Sequence, residues 1–228
     1  MKRIAILISN KGTGSNLEAI INAINIGEIT NGKIVVVVSN KKDALGLIRA
    51  KKHKIRTEIL DLREFISFGK SRAEYDAVLG KLLKNKYKVD LVILAGWLLI
   101  LSENFIKYFP EKIINLHPGL LPDGKKEYVK LSDGTRIKAI RGLHTDKAVQ
   151  FAIDQGFSTT GSTVHFITPL VDNGPVILRS EVKILPGDSI DSLYERMKRE
   201  EHKILPKAIG LFCENRLKII KGDVKICK

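Results

Sequence analysis

Three apolar runs constrain this chain more than anything else in it, Ile4 to Ser9, Ile34 to Val38 and Leu91 to Ala95, and Lys112 to His117 makes another strand after them. Each of the three is too short to cross a membrane and too continuously apolar to keep one face in water. Strands of that kind are buried on both sides, as in a parallel sheet with helices above and below. The segments between them supply the helices, at about 17–26, 43–52 and 71–86, and a short strand falls at 57–60. The predicted fold class is therefore α/β, a doubly wound, mostly parallel sheet.

The second half reads differently. A short helix ends near Phe105 to Phe109, and Pro118 stops the strand that closes on His117, because proline cannot donate to a ladder. Residues 162–168 and 176–185 read as strands joined through Asp172-Asn173-Gly174-Pro175. A helix at about 190–212 and a terminal hairpin at 216–226, turning at Lys221-Gly222-Asp223, complete the chain. Tyr128 to Leu131 and Thr135 to Ile140 alternate around Ser132-Asp133-Gly134, which predicts a β-hairpin at about 123–141. With no repeat and no linker, 228 residues are expected to form a single domain.

Charge and cysteine content narrow the function. The net charge of +14 favours anionic partners, but the lysines are spread along the whole chain and aromatic residues make up only 6%. That pattern fits phosphorylated metabolites or polycarboxylates, or simply a solvated surface, better than the aromatic-basic surfaces of nucleic-acid binders. Met1-Lys2-Arg3 before the first run looks basic-then-apolar, yet the run is short and reads as a strand, not a signal peptide. Cys213 and Cys227 form no CxxC motif, so a reducing cytoplasm and no metal are expected.

Two places carry candidate chemistry. The first is the loop Ser9 to Asn16 between a buried strand and a helix, where backbone N–H groups at the helix start can hold an anion. A dinucleotide is disfavoured, because Leu17-Glu18 replaces the third glycine of GxGxxG and the second strand ends at Ser39-Asn40 without an acid. A single phosphate fits; alternatively Gly12 and Gly14 only permit a tight turn. The second is Asn115 and His117, which alternation on a strand turns to the same face. Amide and imidazole there can stabilise an oxyanion or move a proton, and a structural histidine before a proline is the plain alternative.

Several motifs occur together in order: Gly14-Ser15-Asn16, Leu94-Ala95-Gly96-Trp97, Asn115-Leu116-His117-Pro118-Gly119-Leu120-Leu121-Pro122, Gly142-Leu143-His144-Thr145, and Leu170-Val171-Asp172-Asn173-Gly174-Pro175. The chain thereby resembles the formyl-folate transferases, and among them the phosphoribosylglycinamide formyltransferase family, from Lys2 to about Ile219. The resemblance implies a Rossmann-type core acting as one formyltransferase domain, its phosphate-binding half at about 1–100 and its catalytic, folate-binding half at about 101–228. It implies that Gly14, Ser15 and Asn16 hold the acceptor's phosphate, and that Lys198, Arg199, Glu200 and Glu201 contact phosphate and ribose. Arg72, Leu98, Leu99, Ile100 and Leu101 would meet the folate, as would Asn115 and Thr168, Pro169, Leu170, Val171 and Asp172. Asn115, His117 and Asp172 would be catalytic, Asp172 favouring the charged form of His117, with 10-formyltetrahydrofolate as cosubstrate and no metal.

Departures and rivals remain. The segment 123–141 exceeds the few residues usual there. Its six Lys/Arg against three acids fit a flap for the folate's glutamate tail, or a solvated ornament. Leu99 stands where relatives commonly have arginine. His165 reads as a core histidine, and His144 as a helix-start cap or a partner of the site. Transfer to a tRNA or hydrolysis of formylfolate would call for further domains that these 228 residues are not expected to hold. A sugar-nucleotide formyltransferase, or a basic nucleotide- or RNA-binding module without catalysis, stays open, as does assembly as a monomer or homodimer.

Overall fold

The computed structural model describes residues 1–9 and 12–227. The chain divides into two compact units, Met1–Asn115 and Leu116–Lys228, so the boundary falls inside the strand that carries Asn115 and His117.

The first unit contains β1 (Lys2–Ile8), α1 (Ser15–Asn25), β2 (Gly32–Ser39), α2 (Leu45–Lys52), β3 (Thr57–Ile59), α3 (Leu62–Ser67), α4 (Arg72–Lys81), β4 (Leu91–Leu94) and α5 (Glu103–Ile106), and ends in β5 (Ile113–His117). The strands lie in the order β3-β2-β1-β4-β5. Parallel register sets Ile6 beside both Val37 and Ile93, and Ile93 beside Ile114. These apolar runs are the core: Ile4, Ile6, Leu7, Val37, Val38, Leu91 and Ile93 have no solvent exposure. The chain winds from β1 out to β3 and then returns to β4 on the other side of β1. Right-handed crossovers therefore send α1 and α2 to one face and the later helices to the other. The loops after β1 and β4 consequently open at the same carboxyl edge, at the switch point where ligands bind in such sheets.

The second unit holds β6 (Tyr128–Lys130), β7 (Arg136–Lys138), α6 (Thr145–Asp154), β8 (Thr159–Phe166), β9 (Val176–Lys183), α7 (Ile190–Cys213), β10 (Leu217–Ile220) and β11 (Asp223–Ile226). β9 runs antiparallel to β8, with a register shift at Val164/His165, and the sheet order is β3-β2-β1-β4-β5-β8-β9. α7 starts with a reciprocal Ser189/Ser192 cap and buries Leu193 and Met197 against Val149 and Val182. The doubly wound sheet, the inserted hairpin and the terminal hairpin follow the sequence reading. That reading had no counterpart for α3, which is capped by the Asp61 carboxylate but has no buried residue, and it gave α6 no span. The single helix expected at 71–86 is α4 followed by a wider π turn at Leu82–Lys86.

Candidate active site

In the first unit the candidate residues are Gly14 before α1 with Ser15 and Asn16 in its first turn, Arg72 at the start of α4, residues 98–101 after β4, and Asn115 on β5. Gly14 caps α1 with φ 74° and no side-chain cap, at the helix end where backbone N–H groups project beyond the helix's own ladder. A Cβ there would come within 2.9 Å of the Gly46 Cα, so glycine is required by both conformation and space. Arg49 of α2 pins the loop: Nε donates to the Thr13 carbonyl at 2.7 Å and Nη1 to Glu18 at 3.1 Å. Glu18 also accepts from His53 Nε2 at 2.8 Å, and that bond leads the causes that hold its carboxyl below the usual range. Asn10 and Lys11, part of the predicted phosphate loop, lie outside the described residues.

Ser9, at the end of β1, donates to the Asn40 side chain at 2.8 Å and accepts from the Leu98 N–H at 3.1 Å, tying the ends of β1, β2 and β4 together. Arg72 opens α4, where it pairs with buried Asp76 and donates to the Ile100 carbonyl at 2.6 Å. Asp76 also accepts from the Ser102 N–H at 2.8 Å. Arg72 thus shapes the loop expected to take the pterin. Of the four apolar residues in that loop, Leu98 and Leu99 are half-buried, Ile100 is 67% exposed and Leu101 is buried.

In the second unit His117 and Asp172 come together. Nδ1 of His117 lies 3.5 Å from Asp172 Oδ2, and Nε2 donates to the Ile140 carbonyl at 2.6 Å. Both groups are buried. Gly119 lies so close that a Cβ would reach 2.9 Å from His117 Nε2, and the turn after His117 is fixed by Thr163, which donates to the Gly119 carbonyl and accepts from the Leu121 N–H. Asp172 adopts φ 50°, a left-handed conformation that costs roughly 1 kcal/mol for a non-glycine residue. Its Oδ2 accepts from the Gly142 N–H at 2.7 Å, its carbonyl accepts from Arg141, and its Oδ1 lies 3.7 Å from His165 Nε2.

The expectation that Asp172 would leave His117 charged is corrected here. Burial dominates and lowers the His117 pKa; Asp172 and the Ile140 carbonyl pull it up, and Arg141 and His144 push it further down. Nε2, facing the Ile140 carbonyl, is the donor in that bond. His165 is equally buried, donates from Nδ1 to the Phe166 carbonyl at 2.9 Å, and is lowered to about 4, chiefly by burial and then by His117. It is a partner of the site and not only a core histidine.

Around this pair, Thr168 caps its own loop by donating to the Leu170 carbonyl at 3.1 Å, and Pro169, Leu170 and Val171 are exposed, presenting apolar surface. On α7 the four candidate residues do not face one way, since successive helical residues turn by about 100°. Glu201 is buried and accepts from Ser162 at 3.0 Å, Glu200 accepts from Ser180, Lys198 pairs with Glu195, and Arg199 is exposed.

The inserted hairpin packs Val129, Leu131 and Ile137 against Leu120, while Lys130 and Arg136 stand directly opposite each other on its other face. Ser132 anchors it to Glu181 on β9 through two hydrogen bonds. A cleft of about 580 Å³ lies along it, lined by Lys126, Tyr128, Lys130, Arg136 and Arg179 among others. Among the described residues no cluster of His, Cys, Asp or Glu could hold a metal ion, and no helix is long and apolar enough to cross a membrane.

A doubly wound sheet whose fifth strand ends in Asn-x-His, the histidine beside a buried aspartate, is the kind of arrangement that suits oxyanion stabilisation and proton movement. Residues 2–209 match the formyl transferase family, and the chain belongs to that family. The phosphoribosylglycinamide formyltransferase of Haemophilus influenzae is 39% identical over 219 residues, covering 96% of this chain and 91% of that protein. The trifunctional purine biosynthetic protein adenosine-3 of Gallus gallus is 35% identical over 99% of this chain, which spans 20% of that longer protein. The crystal structure of glycinamide ribonucleotide transformylase 1 from Symbiobacterium toebii superposes with a TM-score of 0.86 at 38% identity, covering 100% of this chain and 95% of that one.

Proposed function

We propose that this chain is a phosphoribosylglycinamide formyltransferase, carrying the formyl group of 10-formyltetrahydrofolate to the amine of glycinamide ribonucleotide in purine synthesis. The observation that carries the reading is the buried His117–Asp172 pair, two residues beyond Asn115 on β5, within a family match spanning residues 2–209. The start of α1, a helix N-terminus with a glycine cap, suits a phosphate. Exposed Leu170 and Val171 suit the flat apolar face of a pterin.

Attack of the acceptor amine on the formyl carbon gives a tetrahedral centre bearing O⁻ and a positively charged nitrogen. Asn115 donates to that oxygen, and negative charge developing beside His117 raises its affinity for a proton. For His117 to donate from Nε2, its bond to the Ile140 carbonyl must be exchanged for one to the substrate oxygen. Asp172 relays the proton leaving the attacking nitrogen toward the folate nitrogen, which departs as the carbon–nitrogen bond breaks. Products are the formamide and tetrahydrofolate, with no covalent intermediate on the protein.

The test is incubation with 10-formyltetrahydrofolate and either glycinamide ribonucleotide or an amino-sugar nucleotide, following loss of the formyl group. Formylation of glycinamide ribonucleotide, abolished or cut roughly 10²-fold or more in Asn115→Ala, supports the reading. Turnover with only the sugar nucleotide, or none with either, refutes it.

A further inference from the structure

Three consecutive residues at the exit of the inserted hairpin hold the reacting pair. The Ile140 carbonyl accepts from His117 Nε2 at 2.6 Å, and the Gly142 N–H donates to Asp172 Oδ2 at 2.7 Å. Between them, Arg141 donates from Nη1 to the Asp172 carbonyl and from Nη2 to the carbonyls of Gly124 at 3.2 Å and Lys126 at 2.9 Å. Gly124 and Lys126 are where the inserted segment begins. One guanidinium therefore clasps the entry of the insertion to its exit and to the turn that carries Asp172. We infer that Arg141 is a positioning residue for the Asp172–His117 pair, and that the insertion is by this contact a working part of the site.

The residue type fits the task. A guanidinium is a rigid planar fork of five N–H donors, able to reach carbonyls on separate segments, whereas an ammonium is a single point. The turn it grips needs a clasp: Asp172 is held at φ 50°, where an L-residue is disfavoured, and that conformation is what sets its carboxylate between His117 and His165. The charge matters as well. All three acceptors of Arg141 are neutral carbonyls, and among the described residues it has no ion pair, so its field acts on its surroundings. The charged and titratable groups facing His117 are Asp172, which favours imidazolium, and Arg141, His144 and His165, which disfavour it. Arg141 thus fixes where Asp172 sits, and its charge adds to the burial that lowers the His117 pKa.

The inference rests on His117 and Asp172 being the reacting pair, and its test has a readout that does not depend on turnover. In the full chain, Arg141→Met keeps the stem but removes donors and charge, and Arg141→Lys keeps the charge but removes the fork. Formyl transfer is measured against pH with KM for both substrates, and the His117 ring is titrated by NMR without substrate. Arg141→Met should lose about 10- to 100-fold in kcat, with KM for the acceptor unchanged, and should raise the His117 pKa and move the pH profile in the same direction. Arg141→Lys should keep the parental titration and recover only part of kcat. Arg216→Met serves as control, because Arg216 donates to the Cys227 carbonyl in the terminal hairpin and should leave the His117 titration as in the parent.

A folded Arg141→Met with parental kcat and parental titration overturns the inference. So does a loss of kcat that merely tracks the fraction unfolded while the titration stays put. If the methionine variant does not fold, a folded Arg141→Lys with full kcat overturns it. Absence of formyl transfer in the parent sinks the functional reading, whereas an unshifted ring titration sinks the role of Arg141.

Discussion

Two loops of this molecule are each gripped by an arginine from another segment, one paired with a carboxylate and the other held by carbonyls. Arg49 holds the Gly14 loop through the Thr13 carbonyl, and its charge is balanced at once by Glu18, which also takes His53. Arg141 holds the Asp172 turn through carbonyls alone, and its charge is left to act on a carboxylate and an imidazole. The mechanical device is the same. On the proposed function the first loop receives a phosphate, which asks chiefly for shape, so the arginine that shapes it can be neutralised. A loop that carries a proton-transfer pair also needs its local field set, so the arginine that shapes it is not.

The largest effect separating the two loops should come from their carboxylates. Asp172→Asn should lower turnover by about 10²-fold or more while both substrates still bind, and should lower the His117 pKa further, because the carboxylate that favours imidazolium is gone. Glu18→Gln, its counterpart in the first loop, should raise KM for the acceptor with kcat and pH profile retained. Equal losses of kcat in the two variants would break the comparison.

The next effect is on stability and belongs to the second unit. His117 and His165 both titrate below their ordinary value of 6.5, His165 at about 4, so between those pH values the folded state binds fewer protons than the unfolded state. Stability is fully present above pH 6.5 and drains away as pH falls toward 4. Denaturant midpoints at pH 7 and pH 5 should show this, and His165→Asn should flatten the difference. A pH-independent midpoint in the parent would contradict buried neutral rings.

Smaller still, Arg49→Met should raise KM for the acceptor by about fivefold, the equivalent of roughly 1 kcal/mol for a lost positioning hydrogen bond, and should leave the His117 titration alone. A shifted titration would show that the first arginine's charge is not contained after all. The smallest effect concerns the cleft by the hairpin: Lys130→Gln with Arg136→Gln should weaken polyglutamyl more than monoglutamyl folate by a few-fold at low salt, and high salt should erase the difference. Identical binding of both folates in parent and variant would mark that face as solvated surface.

Legibility from sequence divides along similar lines. Strands buried on both sides announce themselves, as Val36 to Val38 do, and the Asn115/His117 pair follows from the two-residue period of a strand. α3 could not be read, because six residues with no buried side chain have no periodicity to detect. Lys198 to Glu201 is readable as a segment, but the helix turns Glu201 inward to Ser162 and leaves Arg199 in solvent. The approach of His165 to Asp172 depends on how the β8–β9 connection folds back. The role of Arg141 depends on backbone carbonyls, which carry no residue signature. For His117, sequence shows the neighbouring carboxylate but not the depth of burial that lowers the pKa of the ring.

The Lys130–Arg136 pairing has a consequence outside catalysis. Like charges directly across a ladder weaken it, yet the inserted hairpin is a two-stranded sheet whose main-chain edges belong to no larger sheet, a natural template for another molecule's strand. Three-residue strands with lysine and arginine on the outer face make that template short and repellent to a second copy of itself. The same cations that cost the hairpin some stability keep concentrated protein from zipping together edge to edge, and a variant in which Lys130 and Arg136 are both valine should precipitate at concentrations where the parent stays in solution.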